Sequence, residues 1–203
     1  MSFKYFIIGV CIFIPFSTQA NHPKKLLLSL YITHPFTFIS QTPFNTAGQS
    51  HTTLCAQCPS QEVNIQWMRI VSAKYYLNHK MCYEEKLCID NKGNRFGGIQ
   101  CCRKKDLLFK QFENDLHHLV PELPTLKKLV TQYSVGKLEP NNKLKGTIAR
   151  MFLYMNLKYR LALPKSDKTL YETWHRQYPP CEWEQKKNKL VKAIQGDANP
   201  YIN

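Results

Sequence analysis

Glu113-Asn-Asp-Leu-His-His-Leu-Val-Pro121 brings Glu113, Asp115, His117 and His118 together in one short stretch. A neutral imidazole can take a proton from water, and a carboxylate offers hard oxygen to a divalent cation, so these types together suit metal-assisted hydrolysis. The spacing limits the idea. Neighbouring side chains on a strand point to opposite faces, so His117 and His118 cannot both serve one site. His79 is a further imidazole, at the end of an aromatic segment.

The cysteines carry a second kind of chemistry. Met1 to Ala20 has a positive start at Lys4, an apolar run from Tyr5 to Phe16 and a small-residue end at Ala20, the pattern of an export signal, too short for a comfortable membrane span. Its removal leaves residues 21–203 as one domain. An oxidising compartment then makes Cys55, Cys58, Cys82, Cys88, Cys101, Cys102 and Cys181 disulfide formers, with an odd one left over. Cys55-Ala-Gln-Cys58 with Cys82 and Cys88 could instead be a zinc site, but the spacing is irregular.

The charge points to partners. Lys and Arg number 28 against 14 Asp and Glu, a formal +14 that favours polyanions: nucleic acid first, anionic lipid second. No transmembrane candidate follows the signal.

Stepping from groups to elements, Gly146 to Tyr201 reads as three helices. Ile148, Phe152, Met155 and Tyr159 lie on one face of the first, with Arg150 expected elsewhere. Pro164 stops it, Ser166 suits the next N-cap, and Leu170, Tyr171 and Trp174 form a stripe. The third has Trp183, Leu190, Val191 and Ile194 inside, Lys186, Lys187, Lys189 and Lys192 outside, and Gly196 as a left-handed cap. Upstream, Lys24 to Tyr31 is a short helix ended by His34-Pro35, Gln41 to Thr53 a surface loop, and Val63 to Val71 the most strand-like run, with Asn91 to Gly98 a turn-rich loop.

Gly146-Thr-Ile-Ala-Arg150, Leu153-Tyr-Met155, Trp174-His-Arg-Gln-Tyr178-Pro179, Glu182-Trp-Glu184 and Ile194-Gln-Gly196-Asp-Ala-Asn-Pro-Tyr201 strongly resemble the C-terminal half of the bacterial periplasmic endonuclease I family. His34, Pro35 and Phe38 match its N-terminal part, while Ile39-Ser-Gln-Thr42 takes the place of a close cysteine pair. The resemblance implies an α+β, mostly helical, disulfide-containing single domain around a ββα-metal (His-Me finger) core. Glu113 to Pro121 would supply the second strand of that core, with Asp115 and His117 in its scaffold.

The same resemblance locates the chemistry. Trp67, Ile70, Val71 and Ala73 hold the register of the family's Glu-Trp-Glu-His run, which puts Met68 at the metal-ligating Glu and Arg69 at the general-base His. Ile99 falls on the transition-state arginine, and Lys127 on the helix Asn that supplies the second metal ligand. Arginine stays charged and cannot act as a base, a thioether is a poor ligand for Mg²⁺ or Ca²⁺, and an ammonium repels a cation.

These replacements point to a periplasmic or secreted endonuclease I-like protein that binds nucleic acid, DNA foremost, with metal-dependent phosphodiester hydrolysis lost or strongly reduced. Arg69, Lys127, Arg150, Lys186 and Lys187 are its expected phosphate contacts. No cofactor is expected, or Mg²⁺ or Ca²⁺ if the activity survives. The alternatives are an active DNA or RNA endonuclease with a site rebuilt from His79, His117, His118, Glu113 and Asp115, and a cationic protein directed at envelope lipids or a partner.

Overall fold

A computed structural model describes residues 23–52, 60–134, 136 and 138–202. The export signal, Cys55 and Cys58 therefore lie outside the described residues.

The C-terminal helices form the body. Helix α7 (Asn142–Tyr159) starts four residues before Gly146, where the Asn141 side chain accepts from the Leu144 N–H as an N-cap. Ile148, Ala149, Phe152, Leu153 and Met155 are all essentially inaccessible, so α7 is apolar almost all round and sits in the middle of the main core. Helix α8 (Lys165–Gln177) packs along it. Its N-cap is Pro164 rather than Ser166, with extended ψ and no side-chain capping bond, so the helix starts one residue before the expected cap. Tyr171 stacks on Phe152 with ring centroids 4.4 Å apart, while Leu170 faces solvent. Helix α9 (Glu182–Gln195) ends at Gly196, whose φ of 91° is the expected left-handed cap. Val191 is fully buried on it, but Leu190 is exposed and Lys187 buried, the reverse of the expected faces.

Among the described residues the strands pair in three short antiparallel ribbons. The strand-like run from Val63 is two strands. Residues of β2 (Gln61–Asn64) pair with β1 (Gln49–Thr52), inside the segment expected to be a loop. Residues of β3 (Gln66–Arg69) pair with β6 (Leu119–Glu122). Ile65 marks the change of partner: its N–H donates to the Gly48 carbonyl and its side chain enters a second core with Leu27, Leu30, Tyr31 and Leu119. Helix α1 (Pro23–Leu30) contributes to that core and meets α9.

Between the strands lies a disulfide-braced unit. Helix α2 (Ala73–Leu77), helix α3 (Met81–Glu84), hairpin β4 (Cys88–Ile89) with β5 (Arg95–Phe96), and helices α4 (Ile99–Lys105) and α5 (Leu107–Asn114) follow in order. Bridges Cys82–Cys102 and Cys88–Cys101 tie α3 and the hairpin to α4. A zinc site using Cys82 and Cys88 is thereby ruled out, since each sulfur is spent in a separate bridge. Cys181 is free and exposed.

At residues 39–40 a carboxylate closes the loop that follows His34-Pro35. Glu122, inaccessible at the end of β6, accepts from the Ile39 and Ser40 N–H groups, the Ser40 hydroxyl and the Leu123 N–H. Four donors on one carboxylate hold residues 39–40 beside β6.

Candidate functional site

Strand β3 and the helix that packs on it carry three of the four positions of interest, Met68, Arg69 and Lys127, and α4 carries Ile99. Beyond β6 the chain makes a 3-10 turn, Pro124–Leu126, and enters α6 (Lys127–Ser134), which contacts β3. Met68, opposite Val120 in the ladder, is buried in the main core together with Val130 and Tyr133 of α6. Its thioether is core packing. Lys127 is exposed at the first turn of α6, where a positive charge opposes the helix dipole.

Arg69 is half-buried and aims at the end of α5. Its Nε donates to the Glu113 carbonyl oxygen at 2.7 Å. Burial pulls its pKa below the ordinary arginine value, Glu113 pushes it back up, and Arg103 adds to the lowering. The group stays cationic regardless. The Glu113 carboxylate is buried and bidentate with Arg103, Nε at 2.7 Å and Nη2 at 2.6 Å. One carboxylate thus faces two guanidiniums, leaving net positive charge. Ile99 lies one turn before Arg103 on α4 and is partly exposed.

The carboxylate and imidazole groups of the 113–118 segment are mostly spent. They do not lie on a strand: Glu113 ends α5, and His117 and His118 occupy the turn before β6. Asp115 accepts from Tyr159 at 2.8 Å, Lys158 at 2.9 Å, the His117 N–H at 3.0 Å, and Tyr154 and Gln195 at 3.1 Å. Burial alone would raise its carboxyl; the bonds from Gln195, the His117 backbone and Lys158 outweigh that and hold it at about 2.

His117 is buried edge-on against Tyr154, with Nε2 at 3.0 Å from the Asp197 carbonyl. Burial is the main reason its pKa falls. His118 is inaccessible, its ring 5.2 Å from that of Phe112 and neither nitrogen hydrogen-bonded, and burial drives it down to about 4. His79 stands apart in an exposed turn with φ of 62°, Nδ1 3.7 Å from Glu84. The structure does not bring these groups to one place.

Two expected phosphate contacts are corrected by their burial. Arg150 is 1% exposed and forks onto Glu184 at 2.6 Å twice, with Nη1 on the Tyr178 carbonyl. Lys187 is buried, its Nζ on the Tyr31 hydroxyl at 3.1 Å and the Leu119 carbonyl at 3.2 Å. Only a face open to solvent can meet a polyanion. Lys186 does lie outside, paired with Glu182 one turn earlier at 2.7 Å. Sequence reasoning missed Arg103, Glu122 and Glu184, whose partners are ten to more than eighty residues away and follow no local spacing.

Met68, Arg69 and Lys127 do not fit Mg²⁺ or Ca²⁺: one sulfur is buried in the core and the other two groups are cations. Among the described residues, no group of three His, Cys, Asp or Glu is arranged to hold a metal ion. What the surface around Arg69 offers is positive charge, suited to an anion.

Fold and site define a basic, disulfide-braced α+β domain. Residues 125–203 match the Endonuclease I family model. Across most of its length the chain is similar to an extracellular deoxyribonuclease of Aeromonas hydrophila, 26% identical over 88% of this chain and 85% of the relative, and to a periplasmic deoxyribonuclease of the same organism, 27% identical over 88% and 83%. An Endonuclease-1 of Buchnera aphidicola is 26% identical over 70% of this chain and 61% of its own length. The match to the family model thus covers the C-terminal part of the chain, residues 125–203. The two Aeromonas relatives are named as extracellular and periplasmic proteins respectively. No helix among the described residues is long and apolar enough to cross a membrane.

Proposed function

We propose that this chain is an exported endonuclease I-fold protein that binds nucleic acid, DNA foremost, through phosphate contacts, and that its metal-dependent hydrolysis is lost or strongly reduced. Met1 to Ala20 serve as the export signal. In this reading β3, β6 and α6 are the two strands and the helix of a ββα-metal core. That assignment rests on an antiparallel strand pair followed directly by a helix packed on its first strand. Deoxyribonuclease relatives supply the substrate class.

What supports the loss is Arg69, which the resemblance puts in the place of the base. Its guanidinium is held by the Glu113 carbonyl and cannot accept a proton, and Met68 beside it faces the core instead of a cation. Removing a general base costs about 10² to 10⁴ in rate, before the missing metal is counted. Arg69 and Lys127 instead offer cations to a phosphate, a contact that needs no chemistry.

Supercoiled-plasmid nicking by the oxidised mature protein tests this, with Mg²⁺, Mn²⁺, Ca²⁺ or EDTA, beside a Met68→Glu/Arg69→His/Lys127→Asn variant. The expected result is no EDTA-sensitive nicking by the natural chain and measurable nicking by the variant. Metal-dependent nicking by the natural chain would overturn the loss.

A further inference from the structure

Between α7, α9 and the 34–41 loop lies a cavity that the nuclease reading does not use. It has a volume of about 330 Å³, opens to solvent, and is walled by Tyr31, Phe38, Leu144, Met151 and Trp183 from the turn after α1, the 34–41 loop, α7 and α9. Met68, Arg69, Ile99 and Lys127 are not among its lining residues. A largely apolar concavity of this size is typical of small-molecule sites.

Its polar atoms are the informative part. Glu184 is taken by Arg150 and Thr147, and Asn188 by Asn199 and Ile202. Lys187 differs. Its side chain is 91% buried by the residue's 9% exposure, and no carboxylate forms an ion pair with it among the described residues. Two neutral oxygens accept from its ammonium, which also sits 5.2 Å over the Tyr31 ring, and an ammonium has three donors. A buried charge is ordinarily paired, because desolvation is costly and a neutral acceptor compensates only in part. Exposed Lys143 at the lining adds a second positive charge with no ion-pair partner among the described residues.

We propose that this cavity binds a small amphiphile with one anionic head and an apolar body, of the class of a medium-chain carboxylate. The head takes the third donor of Lys187, and the body lies against Leu144, Met151 and Trp183. The apolar walls ask nothing of the ligand but shape. The rings there do not leave an open parallel slot for a nucleobase: Trp183 is already stacked on His34 at 4.9 Å and tilted against Tyr31 at 5.4 Å.

Isothermal titration of the oxidised full-length mature protein with decanoate tests the assignment, with 1-decanol and a short oligothymidylate as the other arms. Saturable one-to-one binding of decanoate is expected, weakened about tenfold or more by Lys187→Met through loss of a charged hydrogen bond. Ile39→Trp, at the partly exposed rim, should weaken it as much by filling the cavity, and carries the test alone if Lys187→Met does not fold by circular dichroism. Absence of saturable decanoate binding overturns the proposal, as does unchanged affinity in a folded variant. Equal binding of decanol, or displacement by the oligothymidylate, also overturns it.

Discussion

The Nε of Arg69 stands 2.7 Å from the carbonyl oxygen of Glu113, so a strand residue is anchored to the last turn of a helix 44 positions downstream. That bond uses one donor and leaves the two terminal nitrogens of the guanidinium for a phosphate. Arg69→Gln should therefore weaken duplex DNA binding and lower the salt slope by about 1, as loss of one phosphate contact does. Anisotropy titrations of a labelled duplex between 50 and 200 mM salt, values chosen for a steep response, would measure it. Equal slopes for both proteins would remove Arg69 from the interface.

Asp115 makes stability depend on acid. Its folded carboxyl is held at about 2, below the usual carboxylate value, so its contribution is complete above pH ~4 and fades as the pH falls toward 2. The shift corresponds to ~2 kcal/mol. Urea unfolding from pH 2 to 6 should show that decline, and Asp115→Asn should flatten it while lowering stability at neutral pH.

At Gly146 the structure has no room for a side chain. An added Cβ would collide with the carbonyl oxygen of Tyr178, which also receives Nη1 of Arg150. Gly146→Ala should cost about 2 kcal/mol through overpacking. Arg150→Met should cost ~3–5 kcal/mol by stranding Glu184, and Arg150→Met/Glu184→Met should recover part of that. Denaturant midpoints of the natural protein, Arg150→Met, Glu184→Met and the double variant decide it; an additive double variant would mean the pair is not coupled.

Reduction should act locally. The bridges Cys82–Cys102 and Cys88–Cys101 span 20 and 13 residues, and loops of that size are worth roughly 3 kcal/mol each by the chain-entropy account. Hydrogen exchange in Cys82→Ser/Cys102→Ser is expected to quicken across residues 81–105 and change little in α7. Uniform quickening would place the whole fold under control of that bridge.

Much of the helical body was legible because burial repeats at helical spacing. Ile148, Phe152, Met155 and Tyr159 all face the core, and Gly196 caps α9. Polar residues broke the pattern. Arg150 and Lys187 look like outer-face residues until a distant Glu184, Tyr31 or Leu119 carbonyl is found for them, and nothing in the spacing names those partners. The strand run from Val63 has continuous β-propensity, so the change of partner at Ile65 was invisible. At the candidate site the resemblance placed Met68, Arg69, Ile99 and Lys127, yet only packing revealed that Glu113 serves Arg103.

The Glu122 latch changes the order in which this chain can be assembled. A cysteine bridge waits for an oxidant and can be formed with the wrong partner. A carboxylate gathering four donors needs neither, and closes as soon as β6 and residues 39–40 meet. Residues 39–40 thus close against β6 without thiol chemistry, whereas among the described residues the 82–102 unit is the part that needs an oxidant to reach its final form.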